Sequence, residues 1–87
     1  MSPVVIYTRP FCPYCSEALR RLREKGAEFT EIEAGFDPQK RREMIERAGG
    51  RATFPQIFIG GKHVGGCDEL VALDSAGKLD ALLHAQG

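Results

Sequence analysis

Two cysteines lie three positions apart in the segment Cys12-Pro13-Tyr14-Cys15, and this pair offers the clearest chemistry in the chain. The short β-branched run at 4–7 predicts a buried strand before the pair, and the residues after it predict a helix. Cys12 is therefore expected at the beginning of a helix, where free amide hydrogens and a partial positive charge stabilise a thiolate. Cysteines in such settings have pKa values of roughly 3.5–7.5, against about 8.5 for a free thiol.

The spacing of the pair predicts different roles for its two members. An offset of three places both sulfurs on one side of the first helical turn, so they can meet without unwinding the helix. Cys15 continues the apolar stripe that includes Ala18 and Leu22 and is expected to face inward. Cys12 is expected to face solvent, which predicts an exposed nucleophile resolved by a more buried partner.

Two other interpretations of the pair stay open from the residues alone. One is a zinc site formed by Cys12, Cys15, Cys67 and His63, although Pro13 stiffens the first pair and the later residues lack zinc-finger spacing. The other is an inert structural pair. An odd number of cysteines does not suit a secreted disulfide scaffold, and in a reducing compartment a close pair is usually catalytic or metal-binding. We interpret the pair as catalytic and expect no metal.

The strands and helices that must position this pair are predicted to be joined by short connections. Strands are predicted at 4–7, 28–33, 56–59 and 62–65, and helices at 13–25, 38–48, 67–73 and 78–84, the last with Leu79, Leu82 and Leu83 inward. The order β-α-β-α-β-β-α-α begins with a parallel βαβ unit and adds an antiparallel hairpin. The predicted fold is α/β, a mixed four-stranded sheet with helices on both faces, in a single domain over 1–87.

Composition excludes several classes of function. Twelve basic and twelve acidic side chains give zero net charge, which argues against nucleic acid as a main partner. No apolar run approaches the roughly 20 residues that span a bilayer, so no membrane association is expected. Met1-Ser2-Pro3 shows none of the features of a signal peptide, and we expect a cytoplasmic protein.

Four segments distributed along most of the chain match a known family: Tyr7-Thr8, Cys12-Pro13-Tyr14-Cys15, 53–59 and 65–70. With these segments the chain resembles the dithiol glutaredoxins, most of all the short bacterial glutaredoxin 3 type. The resemblance implies a thioredoxin fold and a monomeric, glutathione-dependent thiol–disulfide oxidoreductase. Glutathione would be the reducing co-substrate, with no tightly bound cofactor. Disulfide-containing or glutathionylated proteins would be the substrates.

The resemblance also implies roles for individual residues. Cys12 would be the nucleophile and Cys15 the resolving thiol. The residues implied to bind glutathione are Arg9, Tyr14, Thr53, Phe54, Pro55, Gly66, Cys67 and Asp68. Pro55 would follow a cis peptide bond, Arg9 would face the glycine-end carboxylate, and Asp68 would pair with the γ-glutamyl ammonium. Cys67 would bind through its backbone, with a regulatory, oxidisable thiol as the alternative.

Two departures from the commonest family pattern leave the substrate preference open. Phe54 stands where valine is usual, and Arg9 stands where lysine is common.

Two alternative functions stay open. A glutaredoxin-like protein reduced by thioredoxin reductase would have less need of Arg9 and the segment Gly66-Cys67-Asp68. A dimeric [2Fe–2S] carrier, holding its cluster through two Cys12 thiolates and two glutathiones, is chemically possible. Pro13 and Tyr14 resemble the dithiol enzymes instead.

Overall fold

The computed structural model describes residues 2–85, and these contain four strands and four helices in the predicted order. The elements have the following bounds: β1 Val4–Thr8, α1 Pro13–Glu24, β2 Phe29–Glu33, α2 Pro38–Arg47, β3 Gln56–Ile59, β4 Lys62–Gly65, α3 Cys67–Ser75 and α4 Leu79–Leu83. Helix α3 continues two residues beyond the prediction. Helix α4 is shorter than expected, and Leu82 is half-exposed while Leu79 and Leu83 are fully buried.

The strand order β2-β1-β3-β4 explains how distant segments reach one site. β1 is parallel to β2, and β3 is antiparallel to both β1 and β4. The carboxyl ends of β1, β2 and β4 and the amino end of β3 therefore meet at one edge of the sheet. At that edge lie the loop that leads to Cys12, the segment Phe54-Pro55 and the start of α3 at Gly66.

Helices cover both faces of the sheet, which confirms the predicted α/β architecture. One apolar cluster lies between the sheet and helices α1, α3 and α4, and its buried members are Val4, Ile6, Ala18, Leu22, Ala27, Ile57, Ile59, Cys67, Leu70, Leu79 and Leu83. A second cluster lies between the sheet and α2, and it contains Tyr7, Ala34, Met44, Ala48 and Phe58. The strands are buried on alternate sides because successive side chains point to opposite faces.

Helices α1 and α3 pack side by side, and both begin at the edge that carries the site. Near their other ends, the Asp74 carboxylate of α3 lies 3.0 Å from Lys25 Nζ and 3.2 Å from Arg21 Nη1. Half-buried pairs that solvent still reaches add little stability, but they help to fix how the two helices lie against each other. None of the helices among the described residues has the length and apolar character needed to cross a membrane.

Candidate active site

Cys12 is the N-cap residue of α1, and its sulfur caps the helix. Pro13 occupies the first helical position, where its lack of an amide hydrogen costs nothing. The Cys15 amide donates to Cys12 Sγ across 3.1 Å. Cys12 and Cys15 form a disulfide, with their Cα atoms 5.2 Å apart. The sulfur thus takes the place of the usual capping oxygen, on the positive end of the helix dipole, where a thiolate is stabilised.

The expectation that Cys12 faces solvent is wrong for this paired state. Cys12 is 5% exposed and Cys15 is 3% exposed, so burial scarcely distinguishes them. The carbonyl oxygen of Phe54 lies 4.0 Å from Cys12 Sγ and helps to cover it. Two strongly exposed aromatic side chains lie beside Cys12, since Phe11 and Tyr14 are 95% and 65% exposed.

A groove of about 310 Å³ lies at the first turns of α1 and α3. Its lining residues come from α1, the loop before β3 and the start of α3, and they are Tyr14, Arg51, Thr53, Phe54, Pro55, Gly66, Cys67, Asp68 and Glu69. The structure thus brings together all of the residues that the resemblance implied for glutathione except Arg9. The Arg9 guanidinium donates to the carbonyls of Pro10 and Phe11 in its own loop. That these residues bind glutathione stays a prediction.

The wall of the groove nearest the cysteines is formed by the loop before β3. The Phe54–Pro55 peptide bond is cis, which confirms the geometry that the resemblance implied. Gly66 packs closely against this loop, because a Cβ atom there would lie 3.2 Å from the Pro55 carbonyl oxygen. Gly65 has φ +119°, a conformation that side chains rarely adopt, and a Cβ atom there would meet the Glu69 carboxylate. The two glycines let α3 begin directly against the proline loop.

The opposite wall is the first turn of α3, which carries donors and carboxylates together. The Glu69 carboxylate accepts from the Gly66 amide at 2.6 Å and from Arg51 at 2.9 Å. These two contacts, the Gly66 amide first, lower the pKa of Glu69. The amides of Cys67 and Asp68 have no acceptor within the helix. The exposed Asp68 side chain forms no ion pair or hydrogen bond with residues 2–85. This wall can receive a ligand that carries both a carboxylate and an ammonium group.

Sequence reasoning missed Arg51 and Glu69. Glu69 had a signal, since a glutamate three residues after the N-cap Gly66 is the spacing by which a side chain reaches back to a capping amide. Arg51 had none, because it follows the glycines that end α2 and belongs to no periodic pattern.

The third cysteine differs from the pair. The Cys67 thiol is buried, and its pKa is raised by burial first and then by the carboxylates of Glu17 and Asp68. His63 does not join the cysteines, since its Nε2 lies 2.7 Å from Gln56 Oε1. Within residues 2–85, no three His, Cys, Asp or Glu side chains are grouped so as to hold a metal ion. The zinc interpretation therefore finds no support in the described residues.

Comparisons with known proteins agree with this geometry. The glutaredoxin family model matches residues 4–64. A glutaredoxin of Pseudomonas aeruginosa is 55% identical over 85 residues, which cover 98% of this chain and 100% of that protein. Glutaredoxin 3 of Escherichia coli is 52% identical over 83 residues, which cover 95% of this chain and 99% of that protein.

Solved structures of glutaredoxins are also similar to this protein in fold and sequence. The solution structure of glutaredoxin from Brucella melitensis has a TM-score of 0.83 and 63% identity, and the match covers 95% of this chain and 89% of that one. Buckwheat glutaredoxin, crystallised as a complex with glutathione, has a TM-score of 0.85 and 32% identity, with coverage of 94% and 76%. Because the likeness runs through both sequence and fold along nearly the whole chain, the protein belongs to the glutaredoxin family of thiol–disulfide oxidoreductases.

Proposed function

We propose that the protein takes electrons from glutathione to reduce protein disulfides and mixed disulfides between proteins and glutathione. One observation carries the proposal. The groove beside the cysteine pair offers, on the first turn of α3, two amide donors and the Asp68 carboxylate, which has no partner among residues 2–85. Those groups complement the carboxylate and the ammonium of the γ-glutamyl end of glutathione.

The other parts of the tripeptide have counterparts along the same groove. The backbone of the segment Thr53-Phe54-Pro55 would pair with the cysteinyl residue in the manner of an added strand, which directs the ligand sulfur toward Cys12. Arg9 would receive the glycine-end carboxylate after exchanging the carbonyls of its own loop for the ligand. Tyr14 would contribute an exposed aromatic face at the side of the groove.

Reduction of a glutathionylated protein needs only Cys12. Its thiolate attacks the glutathione sulfur, the mixed disulfide breaks, and the protein substrate leaves as a thiolate that takes up a proton. A second glutathione thiolate attacks the glutathione sulfur bound to Cys12. Glutathione disulfide forms, and the Cys12 thiolate is regenerated at the helix N-terminus that stabilises it.

Reduction of a protein disulfide needs both cysteines. Cys12 first forms a mixed disulfide with the substrate. Cys15 then attacks Cys12 Sγ, which releases the substrate as a dithiol and leaves the Cys12–Cys15 disulfide that the structure contains. Two glutathione molecules reduce that disulfide in turn and leave as glutathione disulfide.

Replacing each cysteine separately tests the scheme. We expect Cys15→Ser to retain reduction of a glutathionylated peptide and to lose reduction of a protein disulfide, because only the second reaction needs a resolving thiol. We expect Cys12→Ser to lose both. Both rates are measured with glutathione, glutathione reductase and NADPH. Equal loss of the two activities in Cys15→Ser would contradict the scheme.

The electron donor is tested with the wild-type protein. We expect a rate that saturates with glutathione, and no turnover when purified thioredoxin reductase replaces glutathione and its reductase. The reverse result would favour the thioredoxin reductase alternative.

A further inference from the structure

A fully buried glutamine connects the ligand groove to a histidine on the neighbouring strand. Gln56 is 0% exposed at the start of β3, and Thr53 lies three residues earlier on the groove wall. Gln56 Nε2 lies 3.0 Å from the Thr53 carbonyl oxygen and 3.1 Å from Thr53 Oγ1. At its other end, Gln56 Oε1 lies 2.7 Å from Nε2 of His63 on β4. The glutamine side chain therefore has a partner on each side.

The Thr53 carbonyl oxygen determines the direction of these hydrogen bonds. A carbonyl oxygen only accepts, so the Gln56 amide must direct its NH₂ toward Thr53 and its oxygen toward His63. The amide oxygen in turn only accepts, so His63 Nε2 must carry a hydrogen. An amide nitrogen has no lone pair to offer, so Thr53 Oγ1 accepts from it. The hydroxyl hydrogen of Thr53 is left to donate elsewhere, and this exposed residue lines the groove.

We infer that Gln56 and His63 are positioning residues which hold the Thr53 hydroxyl as a hydrogen-bond donor toward an acceptor oxygen of the bound tripeptide. The inference rests on the proposed function, because it assigns that ligand to the groove. His63 fixes the glutamine amide, the amide fixes the side chain and carbonyl of Thr53, and Thr53 meets the ligand. His63 also packs against the Phe58 ring with centroids 5.1 Å apart, which keeps its Nε2 aimed at Gln56.

A double-mutant cycle tests whether Gln56 acts through Thr53. We expect Gln56→Met and Thr53→Val each to raise KM for glutathione about three- to ten-fold with kcat nearly unchanged, the effect of losing one neutral hydrogen bond. The rise in KM of the double variant should fall well short of the product of the two single effects, since Gln56 reaches the ligand through Thr53. Thr30→Val, at an exposed position on the edge strand β2, is the matched control and should leave KM unchanged. Independent, multiplying effects of Gln56→Met and Thr53→Val, or a fall in kcat instead of a rise in KM, would overturn the inference.

Variants of His63 test the far end of the connection. His63→Phe keeps an aromatic ring against Phe58 but removes the donor, and we expect KM for glutathione to rise as it does in Gln56→Met. His63→Gln keeps a nitrogen donor and should restore most of the affinity. A KM in His63→Phe equal to that of the wild-type protein would overturn the role of His63.

The protonated nitrogen of His63 gives a measurement that needs no ligand. In ¹⁵N NMR spectra of the wild-type protein, we expect the neutral ring of His63 to carry its hydrogen on Nε2. A ring protonated only on Nδ1 would overturn the inference even if Gln56→Met fails to fold. A wild-type rate independent of glutathione would instead reject the proposed function, and the ring proton would still decide whether the connection exists.

Discussion

The two helices that meet at the site each have a cysteine at the N-terminus, Cys12 as the N-cap of α1 and Cys67 as the first residue of α3, yet the two cysteines have opposite electrostatic surroundings. Cys12 caps α1, receives the Cys15 amide, and is followed by a first turn with no acidic side chain. Cys67 is the first residue of α3, whose first turn contains Asp68 and Glu69. The side chains are almost equally buried, at 5% and 6% exposed.

This comparison shows that a place at a helix N-terminus does not by itself lower the pKa of a cysteine. At α3 the capping amide of Gly66 is already taken by the Glu69 carboxylate. The neighbouring carboxylates of Glu17 and Asp68 add to burial in raising the pKa of Cys67. At α1 the sulfur itself is the capping group, so the dipole and an amide act on it without competition from a carboxylate.

The largest expected effect is a difference in alkylation between these cysteines in the reduced protein. At pH 7 we expect iodoacetamide to modify Cys12 at least about 100-fold faster than Cys67, because the thiolate is the nucleophile. Since the pKa of Cys67 is raised, its alkylation should become appreciable only at a higher pH than an ordinary thiol requires. Peptide mass spectrometry over a time course measures both rates. Similar alkylation rates for Cys12 and Cys67 at pH 7 would contradict the proposed difference in their electrostatic surroundings.

A smaller effect is expected when α1 is given the acidic first turn of α3. Ser16 is exposed and lies one turn after Cys12, so Ser16→Asp places a carboxylate near the sulfur. We expect alkylation of Cys12 and turnover in the glutathione-coupled assay at pH 7 to fall about three-fold, the size of a repulsion between two like charges one helical turn apart near the surface. Ser16→Asn is the neutral control. The difference should shrink in 0.5 M salt, and a loss that salt leaves unchanged would point to distortion of the helix instead.

The smallest effect concerns the capping carboxylate of α3. Glu69→Gln keeps an acceptor but removes the charge, and we expect a loss of about 0.5 kcal/mol in unfolding free energy at pH 7, because the carboxylate is well exposed. The pKa of Glu69 is lowered in the folded state, so its contribution exists above its unfolded pKa and disappears as the pH falls through its folded pKa. Urea unfolding of both proteins at pH 7 and at pH 2.5 measures this. If the difference in unfolding free energy between the two proteins persists at pH 2.5, its cause is packing and not the charge of Glu69.

The sequence predicted the order of elements and the chemistry of the pair because both depend on local signals. Pro13 after Cys12, Asp37 before Pro38, and the glycines between β3 and β4 mark ends and turns by backbone preferences that a few residues determine. The family motifs at 53–55 and 66–68 then located most of the groove, whose lining contains those residues.

What the sequence did not predict depends on contacts between distant segments. Cys12 is covered by Phe54, 42 residues away, which no periodicity within α1 can register. Arg9 bonds to its own loop because two carbonyls happen to lie within reach of its long side chain. The sequence predicts Gln56 only as the first residue of a strand, and its contacts with Thr53 and His63 are what give it a role.

The strand order β2-β1-β3-β4 also has a consequence for folding. β1 comes first in the chain, yet its neighbour β3 begins at Gln56, so the central pairing must close a long loop. Neither the cover over the Cys12 sulfur nor the groove exists until that pairing has formed. Enzymatic activity should therefore return during refolding only when the whole sheet has formed. A partly folded chain should contain both thiols but have no activity.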